Sequence, residues 1–463
     1  MKKRIEKDTM GEVEVPERAL WGAQTERALR NGVAVRRLPW ELTAALVLIK
    51  KGAALVNREL GLLSPDAASA IVRAADEVLS GKLEREFPLS PFQTGSGTSS
   101  NMNANEVLAN RANELLGGRR GEKSPIHPND HVNRCQSSND VFPTAIHVAA
   151  LQLLEEELLP ASRKLHAALA RKAEEFAGVL KLGRTHLMDA LPVTLGQEFG
   201  AYARQVELGV ARIRAAAKGL RELPLGGTAV GTGMNAHPEF ATRVIAWLAE
   251  QTGLPLVRAG DAFEAQSARD ACVSLSGSLR GLAVSLSKIA NDLRWLASGP
   301  HGGLAELRLP ELQPGSSIMP GKVNPVVPEA VLQASAQVLA DDLAVAQGGS
   351  GGVFELNLMM PLIATNLLEE LQLLSGACRL LAERCVEGLT ADPERCRALL
   401  EGSLALATPL AEVVGYEAVG RVVALARRER ISLLEAALRA GLASEEELRR
   451  LLAPAGMVGR PDR

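Results

Sequence analysis

The chain has 463 residues, a formal net charge of −2, 23% charged and only 3% aromatic side chains. That balance excludes a strongly basic nucleic-acid or anionic-membrane binder, and so few rings offer no stacking platform for bases. The length calls for two or three domains, and the longest apolar stretches, such as Ala44–Ile49, are too short to span a bilayer.

Met1–Met10 is charged and lacks an apolar core, so no secretory signal is expected. Cys135, Cys272, Cys378, Cys385 and Cys396 are odd in number and show no CxxC spacing. That pattern fits a cytoplasmic protein, or one of a reducing organelle matrix, better than a disulfide framework. Trp40–Leu60 and Ser64–Gly81 read as amphipathic helices, the second opened by Ser64 as cap and Pro65 in the first turn. The cluster Gln93–Asn101 leads into a predicted helix at Met102–Leu116. Its free N–H groups at a helix start suit a carboxylate, although a Gly/Ser linker is the simpler reading. His127, Asp130 and His131 follow, but prolines argue for a loop rather than a helical pair of metal-binding histidines, and no metal site is expected. In Gln136–Asp140, Asn139 is a candidate N-cap.

A seven-residue apolar beat then sets in. It runs through Leu151, Leu154, Leu158 and Leu165, through Leu195, Phe199, Tyr202 and Val206, and through Cys272, Leu275, Leu279, Leu282 and Leu286. It returns in Leu332, Ala336, Leu339, Leu343 and Ala346, and again in Leu367, Leu371, Leu374, Cys378, Leu381 and Cys385. Such a repeat predicts long helices packed at shallow angles, with the seam cysteines as core filler. The predicted divisions are a mixed helical and loop region at 1–138, a long-helix bundle at 139–392 and a small helical region at 393–463. The first long helix, 141–177, would be about 55 Å long, and the segment after it could retrace only about 25 Å. The polar loops at Ser137–Asn139 and Gly183–Ala190 therefore cannot serve one site from the same chain. Either the site is assembled from different chains of an antiparallel oligomer, or one loop is inert.

Gly315–Glu329 is rich in Gly and Pro, which rule out regular structure before Glu329. Its Ser316, Ser317, Lys322, Asn324 and free backbone amides make an inventory for holding an anion, or simply a surface turn. His186 in the Gly183–Ala190 loop, taken alone, is more readily a structural histidine. Combined with Lys322, Glu329 and the hydroxyl loops, it completes an acid/base kit without any metal or cofactor motif.

Gly315-Ser-Ser-Ile-Met-Pro-Gly-Lys-Val-Asn324 resembles the signature of the fumarase/aspartase superfamily. Asp8–Pro16, Trp21–Thr25, Gly95–Thr98, His127–Asp130, Gln136–Asp140 and Leu225–Gly233 resemble class II fumarase, as do His186 and Gly321, while Val326-Val327-Pro328 is closer to aspartase. The resemblance covers nearly the whole chain. It implies a mainly α, three-domain fold whose central long helices form a twenty-helix bundle in a homotetramer, with each active site built from three chains. It also implies a dicarboxylate substrate, fumarate or malate, and no cofactor, nucleic acid or membrane partner. By resemblance Ser316 is the carbon base, His186 handles the hydroxyl proton with Glu329 as its partner, and Lys322 and Asn324 stabilise the charge that builds on one carboxylate. Ser96, Gly97, Thr98, Ser137, Ser138, Asn139, Thr185, Ser317 and Val323 are implied substrate contacts, and His127, Pro128, Asn129 and Asp130 a secondary dicarboxylate site. Ammonia elimination from aspartate and an inactive structural oligomer are the alternatives.

Overall fold

The computed structural model describes residues 2–459 and is mainly helical. In chain order, the hairpin β1 (Lys3–Asp8) and β2 (Gly11–Pro16) precedes α1 (Ala23–Asn31), α2 (Trp40–Glu59), α3 (Pro65–Leu79), α4 (Thr98–Leu115) and α5 (Ser138–Leu153). A π turn at Leu154–Leu158 leads into α6 (Leu159–Glu175), then the hairpin β3 (Leu180–Thr185) and β4 (Met188–Thr194), and α7 (Leu195–Ala216). There follow α8 (Phe240–Thr252), α9 (Ala262–Ser267) and the long helices α10 (Asp270–Leu296), α11 (Val326–Gly349) and α12 (Met360–Leu381), before shorter helices between Pro393 and Leu451. Among the described residues no helix is long and apolar enough to cross a membrane.

The chain forms two compact units. One takes in the residues up to Pro160, Gly209–Ala283 and Ala334–Ser375. The other takes in Ala161–Leu208, Val284–Gln333 and the residues from Gly376 onward. In the first unit α2, α3 and α4 close on an alanine-rich core that includes Val47, Ile71, Ala74, Val107 and Leu108. Small side chains let these helices approach closely. Ser64 caps α3 by accepting the Ala67 amide, and Pro65 occupies the first turn, where no N–H is needed. The buried Glu106 accepts the amides of Gly22, Gln24 and Thr25, satisfying the free N–H groups at the start of α1. In the second unit Leu400, Leu410, Val422, Ala436 and Leu448 form a separate core with Leu182 of β3.

The apolar beat marks buried seams on most long helices. Leu151, Leu154, Leu158 and Leu165 are buried, as are Leu275 through Leu293 on α10 and Leu367 through Cys385 from α12 into the π turn Ala382–Val386. Burial pushes the Cys272 thiol up to about 11 and the Cys378 thiol to about 12, as expected of inert core filler. Helix α11 departs from expectation. Its buried stripe is Val331, Ser335, Val338, Asp342 and Val345, whereas Leu339 and Leu343 are 41% and 70% exposed and Ala336 and Ala346 face solvent too. The sequence has two apolar stripes here, and among the described residues the richer one is left exposed.

Three boundaries also shift. Helix α5 starts at Ser138, and its cap is Ser137 rather than Asn139: Ser137 accepts the Asn139 amide while the Asp140 carboxylate accepts the Ser137 amide. Helix α4 starts at Thr98, four residues ahead of the expected Met102. Helix α11 starts at Val326, because Pro328 lies in a first turn that has no N–H partners to lose.

Candidate active site

In the first unit the hydroxyl loops meet. Ser96 Oγ lies 2.7 Å from Thr98 Oγ1, which lies 2.6 Å from Ser138 Oγ, so the three hydroxyls form one chain of hydrogen bonds between the N-termini of α4 and α5. Gly97, with φ 74°, caps α4, and the edge of the Phe142 ring would come within 2.3 Å of any Cβ there. Glycine is thus required twice, by conformation and by space. The Asn139 amide donates to Ala229 O at 2.8 Å, which fixes its carbonyl oxygen relative to the helix start. Two helix N-termini and a line of hydroxyls offer donors to an anion without a cation.

His127 caps the π turn Pro128–Val132, its Nδ1 accepting the amides of Asn129 and Asp130 at 3.2 Å each. An Nδ1 that accepts two amides has no proton for the Asp130 carboxylate 3.3 Å away, so this pair is not an ion pair in that geometry. Burial holds the His127 pKa below its ordinary value, with Asp130 opposing, in keeping with a neutral ring. Asn129 and Asp130 are exposed and Pro128 is buried. The segment expected as a loop is a helical turn, and among the described residues no cluster of His, Cys, Asp and Glu side chains is set to hold a metal.

In the second unit β3 and β4 pair with Thr185 opposite Met188, leaving His186 and Leu187 as a two-residue turn. Their φ values are 55° and 60°, the left-handed pair of a type I′ hairpin, where Asn-Gly is the usual choice. Holding two side-chain-bearing residues there costs roughly 1–2 kcal/mol each. Behind the turn, Arg184 donates a two-pronged ion pair to the fully buried Glu306 at 2.8 and 3.0 Å. The Lys181 ammonium joins Glu198 at 2.8 Å, and Asp189 accepts from Ser403 at 2.7 Å. The hairpin stem is therefore rigid while Thr185 and His186 project into solvent.

The Gly315–Asn324 turn, in the same unit, closes on itself. The Gly315 amide donates to Lys322 O and the Asn324 side chain to Gly315 O, both at 2.7 Å. Ser316 Oγ accepts the Ile318 amide at 3.1 Å and the Met319 amide at 2.9 Å. Lys322, Val323 and Ser317 are exposed, and Ser316 and Asn324 are half-buried. Glu329 lies half-buried in the first turn of α11. Among the described residues no hydrogen bond joins His186 to Glu329 or to Ser316.

Residues 11–340 match the profile of a lyase family, and residues 406–459 match that of the fumarase C C-terminus. The chain is 52% identical over 459 residues to a class II fumarate hydratase of Neisseria meningitidis, covering 99% of each. It is 54% identical over 441 residues to one of Mycobacterium tuberculosis, covering 95% of this chain and 92% of the other. The chain belongs to the class II fumarate hydratase family. Its fold agrees with the crystal structure of class II fumarase from Schistosoma mansoni, with a TM-score of 0.95, 37% identity, and 98% and 99% of the two chains covered.

One partner of the hydroxyl loops stood out in the sequence only as a family resemblance, with no role attached. The glycine-rich loop Leu225–Gly233 supplies Ala229 O to Asn139, and its Gly226 and Thr228 amides go to Asp140. It carries no titratable side chain, so only the acid after Ser137-Ser138-Asn139 could have signalled it.

Proposed function

We infer that this lyase catalyses the reversible hydration of fumarate to (S)-malate by trans addition of water, through an aci-carboxylate carbanion. In the elimination direction a base takes a proton from the carbon beside one carboxylate, and an acid protonates the departing hydroxyl. The carbon acid is so weak that charge stabilisation has to supply most of the acceleration. The observation that carries the reading is the Ser316 turn. A serine is a base only when its alkoxide is stabilised, and the Ile318 and Met319 amides already point at Ser316 Oγ. Lys322, Asn324, Ser317 and Val323 flank the carboxylate that accumulates charge. His186, balanced by Glu329, moves the proton on the hydroxyl or water. Thr185, Ser96, Gly97, Thr98, Ser137, Ser138 and Asn139 hold the rest of the substrate, and His127, Pro128, Asn129 and Asp130 form a secondary dicarboxylate site.

The same reading takes the chain as a homotetramer with shared sites. The hydroxyl clamp and the acid/base groups belong to separate units, among the described residues no hydrogen bond joins His186 to Glu329, and α11 carries an exposed apolar stripe. The division into 1–138, 139–392 and 393–463 is supported by one core confined to Leu20–Val132 and another built mainly from Leu400–Leu448. A cytoplasmic site of action is supported by five free, buried cysteines. The deciding experiment is ultraviolet detection of fumarate with malate, fumarate plus water, and fumarate plus ammonium side by side. Interconversion of malate and fumarate is expected; turnover only with ammonium, or with nothing, would overturn the reading.

A further inference from the structure

We propose that Asp140 is a positioning residue that locks the Ser137–Asn139 clamp to the glycine-rich loop Leu225–Gly233, so that the two act as one rigid floor for a substrate carboxylate. This rests on the assignment of Ser137–Asn139 to substrate binding.

The Asp140 carboxylate is completely buried. One oxygen accepts the Ser137 amide at 2.9 Å, which is the ordinary duty of an acid three residues after a capping serine. The other accepts the Gly226 amide at 2.9 Å and the Thr228 amide at 3.0 Å, from a loop 86 and 88 residues further along the chain. Capping does not require those two bonds. They are matched by a return bond, in which the Asn139 side chain donates to Ala229 O at 2.8 Å. The loop is also held from its other side, where Gln266 on α9 donates to Thr228 O at 2.8 Å. Thr228 is kept left-handed at φ 55°, a conformation unfavourable for a β-branched residue that its neighbours must sustain.

The counter-charge is buried as well. Lys50 of α2 is fully buried and donates to Asn133 Oδ1 at 2.8 Å. Desolvation lowers Lys50 to about 7 and raises Asp140 to about 6, and in both groups the attraction of the other opposes the shift. The clamp itself is neutral: hydroxyls and one amide. Neutral donors recognise a carboxylate only when their directions are fixed in advance, and Asp140 fixes them from beneath.

Asp140→Asn is nearly isosteric, yet its NH2 must face either the Ser137 amide or the Gly226 and Thr228 pair. Because the clamp holds substrate and transition state alike, KM for malate and fumarate should rise about 10-fold or more while kcat stays within about 3-fold. Gly227→Ala leaves Asp140 intact but sets a Cβ 2.0 Å from Gln266 Oε1, and it should raise KM in the same way. Should either variant fail to fold, amide hydrogen exchange of the wild-type enzyme with and without succinate decides. The proposal requires succinate to slow exchange in 137–141 and in 225–233 together. Protection of 137–141 alone, an unchanged KM in both variants, or a loss confined to kcat would overturn it. A wild-type enzyme inactive on malate and fumarate would instead remove the functional reading on which it rests.

Discussion

His186 and Leu187 share the left-handed turn but not the reason for it. A histidine there projects its ring clear of the hairpin, whereas Leu187 is 61% exposed and makes no polar contact. Leu187→Gly should relieve the conformational cost, about 1 kcal/mol, and raise the thermal unfolding temperature by about 1–2 °C with kcat retained. His186→Asn should keep the turn, since asparagine tolerates that φ, but lower kcat about 10²-fold or more, the usual range for losing an acid/base group. Near-normal turnover would take His186 out of the mechanism. Ser316→Ala should be at least as damaging to kcat while malate still binds in calorimetry.

The carboxyls between α10, α11 and α12 make stability depend on pH. Ser276 Oγ lies 2.7 Å from Glu370 and 2.9 Å from Asp342, both buried. One hydroxyl has one proton to give, so the second short contact calls for a protonated acid. Burial, with Asp342 and Asp341 adding repulsion, pushes Glu370 up to about 9, while the Ser276 bond and Arg280 oppose the rise. A carboxyl whose pKa is raised on folding keeps its proton while the unfolded chain ionises. Stability is therefore lost as pH climbs from about 4.5 towards about 9. Glu370→Gln should melt higher than wild type at pH 8, and the difference should shrink towards pH 5 in melting curves. Elements were legible where their signal is local. Ser64-Pro65 announced α3, and the seams of α10 and α12 followed from apolar spacing alone. Ser137 and Asn139 are both good capping residues, and only the acid at 140 singles out Ser137. Pro328 has the look of a breaker in sequence, yet a first turn tolerates it. On α11 the spacing could not say which of two apolar stripes faces its own chain. Leu225–Gly233 carried a family resemblance but not its role, because amides and carbonyls leave no mark in side-chain chemistry.

At the scale of the whole molecule, the stripe through Leu339 and Leu343 bears on assembly. In the proposed assembly this face is where a second copy would pack. If the proposed tetramer forms through this face, Leu343→Glu should shift sedimentation to smaller species and remove activity together with assembly. Mixing His186→Asn and Ser316→Ala tetramers under subunit exchange should restore part of the activity if those two groups of a site come from different chains. Ser137–Asn139 and Gly183–Ala190 belong to different compact units, while no sequence signal announced the bonds of Asp140 to Gly226 and Thr228. The edge of Phe142, pressed against Gly97, sets the gauge between the starts of α4 and α5. If the proposed clamp holds the substrate, selection for longer diacids would meet its first obstacle at this aromatic spacer, since trimming or enlarging hydroxyls leaves the distance between the two helix mouths unchanged.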